Sequence, residues 1–221
     1  MIGKRGFEMT RIILVRHGES YANRRHIYVG HTDAPLEERG LEQARLTAEY
    51  IAENYTVSRV YASDLKRAFD TGMRTAERVG VDIIPDRELR EIYAGEWEGV
   101  PFDELDTRFR DSYSVWRNDI GNCKTPSGES VKQLAERVRA ELERIALAHD
   151  GETVVCATHA TPIRAMHTIV TQPSLDFMKD VPWPTNASVS VYEYDGGKWQ
   201  CDYFSHDEHL GSLKVPIKGK V

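Results

Sequence analysis

The sequence predicts an α/β fold, a three-layer sandwich with helices on both faces of a mainly parallel central sheet and a C-terminal hairpin. Three observations carry this. The runs Ile12-Ile13-Leu14-Val15 and Val154-Val155-Cys156-Ala157 are apolar without alternation, as strands buried on both faces are. Amphipathic helical patterns separate most strand-like segments, so those strands need crossovers and pair in parallel. Only the last two segments, Ala187 to Tyr194 and Lys198 to Phe204, are closely joined, through the turn Asp195-Gly196-Gly197.

Taken in order, Met1 to Met9 carries Lys4 and Arg5 with no apolar run behind them, which reads as a disordered extension and not as a secretory leader. The strand Ile12 to Val15 leads to Arg16-His17-Gly18, where glycine lets the chain turn and a ligand approach the backbone. Glu19 to Asn23 suits a helical turn, and Arg24 to Pro35 a polar loop. A helix follows over Leu36 to Asn54, with Leu41, Ala44, Ala48, Ile51 and Ala52 facing inward and Gly40 weakening its first turn. Ser58 to Ser63 reads as a strand, and Asp64 as the N-cap of a helix to Val79 with Arg67 in its first turn. Val81 to Ile84 is a short strand ending at Pro85, Leu89 to Gly99 a loop, and Pro101 to Asp119 helical in pieces. Ser130 with Gln133 forms a capping box for a helix to about His149. Thr153 to Thr158 is the second buried strand, after which Thr161 and Pro162 suit the N-cap and first residue of a helix. Residues 10–210 are expected to form one domain and residues 211–221 a loose, lysine-rich tail.

Composition excludes several classes of function. With 40% hydrophobic and 29% charged residues the chain is ordinary for a globular protein. No stretch approaches the roughly 18 apolar residues of a membrane span. A formal net charge of −6, without any basic block, argues against a nucleic-acid partner. Cys123, Cys156 and Cys201 are odd in number and lack metal-site spacing, which suits a reducing cytoplasm. Oligomeric state leaves no mark on the sequence.

Chemistry collects at the ends of the strands. In a parallel sheet the carboxyl ends share one edge, so His17 and His159 can converge there, and Arg67 falls on the same edge. With Arg16 this makes two guanidiniums and two imidazoles close to helix N-termini, a set suited to phosphate.

The residues on this frame resemble the histidine phosphatase superfamily, the branch that includes cofactor-dependent phosphoglycerate mutases and small phosphatases. The matching pieces are Leu14 to Ser20 with Asn23, then Gly30, Asp33, Pro35-Leu36, Gly40 and Gln43-Ala44. Ser63 to Ala68 follows, then Leu89-Arg90-Glu91, Gly95 to Gly99, Pro126 to Ser130, His159 and Asn186 to Ser188. The resemblance implies that His17 attacks phosphorus and becomes a phosphohistidine, while Arg16, Arg67 and His159 hold the phosphoryl oxygens. Glu91 is implied as the proton donor to the leaving group and then the base for water. Asn23, Ser20 and the backbone N–H of Ala160 are implied as further phosphate ligands, although a cap role would explain Ser20 as well. The family often has glycine where Ala160 stands. Neither a metal nor another cofactor is expected, since cationic groups already surround the phosphate.

The expected activity is metal-independent hydrolysis of a small phosphorylated metabolite. The acid's segment and the short stretch between Glu91 and His159 look like the phosphatase members, which weighs against a mutase. A phosphate-binding protein without turnover would have no use for Glu91. Arg24 and Arg25 could select a second anionic group of the substrate. Trp97, Trp116 and Trp183 suit either pocket walls or packing, and His26, His31, His149 and His167 surface or packing roles. His206 and His209 lack a third metal ligand.

Overall fold

The computed structural model describes residues 8–215. Strands β1 (Thr10–Arg16), β2 (Arg59–Ser63), β3 (Ile83–Asp86), β4 (Thr153–Thr158), β5 (Val189–Asp195) and β6 (Lys198–His206) form one sheet in the order β3-β2-β4-β1-β5-β6. The first four are parallel, and β5 and β6 add an antiparallel hairpin at one side. The two apolar runs of the sequence are the adjacent central strands β1 and β4, with Ile12, Ile13, Val154 and Val155 wholly buried.

Alternation along β1 sorts the core into two layers. Ile12 and Leu14 join one hydrophobic cluster with Leu134, Leu142, Ile163 and Tyr192. Ile13 and Val15 face the other way, into a cluster with Ile51, Val60 and Ala76. Helices α6 (Val131–Ala148) and α7 (Ala160–Thr171) cover the first face, and α2 (Glu38–Asn54) and α3 (Lys66–Val79) the second. Shorter helices α1 (Tyr21–Arg24), α4 (Phe102–Arg108) and α5 (Arg110–Asn118) lie in the connections. No helix among the described residues is long and apolar enough to cross a membrane.

Several local expectations are corrected. α2 begins at Glu38, and Leu41 points outward at 37% exposure; Gln43 and Thr47 take inward positions instead. Both are hydrogen-bonded there, Gln43 Oε1 by the Glu19 N–H (2.8 Å), while Thr47 Oγ1 donates to the Ala187 carbonyl (2.9 Å). Asp64 does not cap α3. Its carboxylate takes a fork from Arg90 at 2.5 and 2.6 Å, and Asp33 Oδ1 receives the Lys66 N–H. Pro85 lies inside β3, which is tolerable because β3 is an edge strand with no outer ladder to complete. α7 starts at Ala160 with His159 as its cap, so Pro162 sits within the first turn, where no intrahelical N–H is needed. The capping box of Ser130 and Gln133 is formed. Leu213 and Lys214 accept hydrogen bonds from Arg39, whereas residues 1–7 and 216–221 lie outside the described residues.

Candidate active site

At the carboxyl edge of the parallel strands a cavity of about 400 Å³ is lined by Arg16, His17, Asn23, Arg67, Glu91 and Ala160, with Asn186 beside them. His17 follows β1 directly and is 4% exposed. Its backbone is pinned on both sides, N–H to the Thr158 carbonyl (3.0 Å) and carbonyl to the Ala187 N–H (3.2 Å) and Asn186 Nδ2 (3.1 Å). Its Nδ1 lies 2.7 Å from the Gly18 carbonyl, which accepts only from a protonated nitrogen. That contact fixes the tautomer and leaves the lone pair on Nε2.

Gly18 serves packing and does not adopt the positive φ that a sharp turn would need. A Cβ there would stand 2.3 Å from the Gly40 carbonyl oxygen, and one on Gly40 would stand 2.1 Å from that of Glu19. Two glycines are required because the loop after β1 lies directly on the first turn of α2.

His159 is fully buried, with Nε2 hydrogen-bonded to Ser63 Oγ (2.8 Å) and Nδ1 without a partner among the described residues. Burial, reinforced by the positive charge of Arg67, holds both His17 and His159 well below the ordinary imidazole range. Burial likewise brings Arg16 down to about 10, with Glu91 opposing. Arg16 Nη1 donates to the Pro184 carbonyl (2.6 Å), while its buried Nε has no partner among the described residues. Arg67, on the first turn of α3 and 1% exposed, donates to the carbonyls of Gly30 (2.7 Å) and Thr32 (3.1 Å). These bonds orient the guanidinium.

Glu91 is 8% exposed on a segment without regular structure. Its carboxylate accepts from the Ile92 N–H (2.8 Å) and from the Thr161 N–H in the first turn of α7 (3.3 Å). The carboxyl is therefore tied to the helix N-terminus that also presents Ala160 to the cavity.

Other expectations divide. Asn23 lines the cavity, its Oδ1 receiving Ser20 Oγ (3.0 Å) and Asn186 Nδ2 (3.1 Å). Ser20 does not line it; it is the fully buried N-cap of α1 and acts by holding Asn23. Arg24 reaches the cavity mouth but pairs with Glu37 (3.2 Å), and Arg25 lies away, 3.8 Å above the Tyr21 ring centre. Trp116 and Trp183 are walls, whereas Trp97 packs in the core. His26 is exposed, as expected of a surface residue, and also lines the cavity. Asn186 appears in the sequence only as part of a resemblance, and Arg39, also lining the cavity, carried no signal. His206 and His209 stack on Tyr50, and no group of three potential ligands among the described residues could hold a metal ion.

Two guanidiniums, the His17 imidazole, a helix N-terminus and one carboxyl around a cavity, with His159 buried behind His17 and outside the lining, suit a tetrahedral oxyanion ester. Residues 12–207 match the histidine phosphatase superfamily (branch 1), and the chain belongs to that superfamily. It is 35% identical over 214 residues to the metal-independent phosphoserine phosphatase of Arabidopsis thaliana, across 96% of this chain and 88% of that protein. It is 33% identical over 218 residues to phosphoglycerate mutase-like protein 4 of the same plant, across 96% and 93%. Among solved structures, YhfR of Bacillus stearothermophilus superposes with a TM-score of 0.86 at 26% identity, across 91% of this chain and 99% of that one.

Proposed function

We propose that this phosphoric monoester hydrolase acts on a small phosphorylated metabolite through a phosphohistidine on His17. The observation that carries the reading is the bond between His17 Nδ1–H and the Gly18 carbonyl, which leaves Nε2 as a nucleophile on a ring lining the cavity. Nε2 attacks phosphorus, the ester P–O bond breaks, and the Glu91 carboxyl gives its proton to the departing alkoxide. Water then attacks the phosphorus and gives a proton to Glu91, the P–Nε2 bond breaks to restore the free imidazole, and inorganic phosphate leaves. Arg16, Arg67, Asn23 and the first N–H groups of α7 hold the phosphoryl oxygens throughout. A bound dianion opposes the burial and the Arg67 charge that lower His159, so that its imidazole donates to the phosphate.

Beyond the phosphate end, Tyr28, Phe102, Trp116 and Trp183 line the cavity and would meet the alcohol part of the ester. A phosphorylated hydroxy-amino acid is the first substrate to try, given the phosphoserine phosphatase among the relatives. The mutase-like relative supports a second reading, in which the phosphohistidine returns its group to substrate.

The test is phosphate release from a panel of metabolites in excess chelator, for wild type and His17→Ala. Activity that persists in chelator and vanishes in the variant supports the reading. Isomerisation of phosphoglycerate faster than phosphate release would replace it with the mutase, and activity surviving His17→Ala would sink it.

A further inference from the structure

The segment that carries Glu91 has no strand or helix to hold it, so its backbone polar groups must find other partners. One side chain from α6 supplies several of them. Arg137 donates through Nη1 to the Glu88 carbonyl (2.6 Å) and through Nη2 to the carbonyl of Glu91 itself (3.0 Å). The same guanidinium forks onto Glu129, at 2.7 Å from Nε and 3.0 Å from Nη2. Glu129 in turn takes the Tyr93 N–H on its carboxylate (3.2 Å), and its own N–H donates to the Tyr93 carbonyl (2.9 Å). The Arg137 and Glu129 side chains are only 19% and 15% exposed, so this is an ordered pair and not a solvated one. His31 Nε2 adds a second hold on the Glu91 carbonyl (3.0 Å), and Thr158 Oγ1 donates to the nearby carbonyl of Leu89 (2.6 Å).

We propose that Arg137, braced by Glu129, is a positioning residue that sets the Glu91 carboxyl against the leaving oxygen. It lines no part of the cavity and touches no phosphate ligand's side chain in the described structure. The inference rests on the reading of Glu91 as proton donor. Its physical basis is geometric: proton transfer needs the carboxyl within hydrogen-bond reach of one oxygen, and a displacement of about 1 Å can cost on the order of 100-fold. Lysine at position 137 would keep the charge but could not span two carbonyls and a carboxylate from one planar fork.

The readout that separates this from general destabilisation is dependence on the leaving group. A p-nitrophenolate leaves without protonation, whereas the alkoxide of an alkyl phosphate does not. Turnover of p-nitrophenyl phosphate and of an alkyl phosphate should be compared for wild type, Arg137→Lys, Glu129→Gln and Glu91→Gln, with inhibition by inorganic phosphate measured alongside. The expected result for Arg137→Lys is a kcat/KM, which reports the steps up to release of the alcohol, about 10- to 100-fold lower on the alkyl ester, about 3-fold or less on the aryl ester, and unchanged phosphate inhibition. Glu129→Gln should show the same selectivity more weakly. Equal loss on both esters, weakened phosphate inhibition, or no loss in Arg137→Lys would overturn the proposal. If Glu91→Gln is selective and Arg137→Lys is not, only the positioning role fails. If neither is selective, the assignment of Glu91 fails and takes the positioning role with it.

Discussion

The rings of His17 and His159 meet edge to face, 5.2 Å between centroids at an interplanar angle of 61°. Burial holds both well below the ordinary imidazole value of 6.5, aided by Arg67 in each case. In the unfolded chain each takes up a proton as the pH falls through about 6.5, while the folded protein leaves them neutral. The unfolded state then binds more protons, so stability is flat above that pH and declines below it. His31, His167 and His209 are lowered by burial too and share in the decline, which makes a difference measurement necessary. Between about pH 7 and pH 5, wild type should lose roughly 1–2 kcal/mol more stability than His159→Gln. Parallel urea midpoints for the two proteins across that range would contradict the assignment.

Arg67 is held by two carbonyls before any substrate arrives, so its remaining donors point in a set direction. Both Arg67→Ala and Arg67→Lys should weaken inhibition by inorganic phosphate by about 100-fold, since a lysine ammonium cannot reproduce the fork. A lysine variant that binds phosphate as wild type does would show that charge alone is used.

Gly40→Ala tests the contact between α2 and the loop after β1. Its Cβ would stand 2.1 Å from the Glu19 carbonyl oxygen, against backbone that has little room to yield. The loss should be about 1–3 kcal/mol in stability, with activity falling as the Gly18 carbonyl shifts from His17 Nδ1. An unchanged denaturation midpoint would mean that the loop moves freely.

Arg39 lines the cavity and donates to the carbonyls of Leu213 and Lys214, and Val215 lines the cavity beside it. Removing these bonds in Arg39→Ala should release the segment from α2. Tryptic cleavage after Lys214 should then be about 10-fold faster, as expected for the loss of one or two net hydrogen bonds. Equal cleavage rates would show that Gln43, which also donates to the Leu213 carbonyl (2.8 Å), suffices alone.

Patterns within short windows were enough for a mainly parallel sheet with a terminal hairpin and for part of the site, but not for the order of the strands. Unbroken apolar runs identified β1 and β4 because burial on both faces leaves no position for a polar residue. The rule that ligands sit at the carboxyl edge then brought Arg16, His17, Arg67 and His159 together without a coordinate; the first three line the cavity, and His159 lies behind its wall with its ring against that of His17. The capping box at Ser130 was legible because both partners lie within one turn.

Tertiary structure decided whatever depends on partners far apart in sequence. Asp64 looks like a cap and pairs with Arg90 instead; Ser20 supports Asn23; Gly18 exists for Gly40, not for a turn. Glu91 could be named by resemblance, but its surroundings come from Thr161, His31 and Arg137, which are 46 to 70 residues away. A periodic pattern records whether a residue is buried, because burial repeats with the pitch of a helix or strand. It does not record which distant group satisfies an irregular segment's backbone, since that choice is made only when the elements pack.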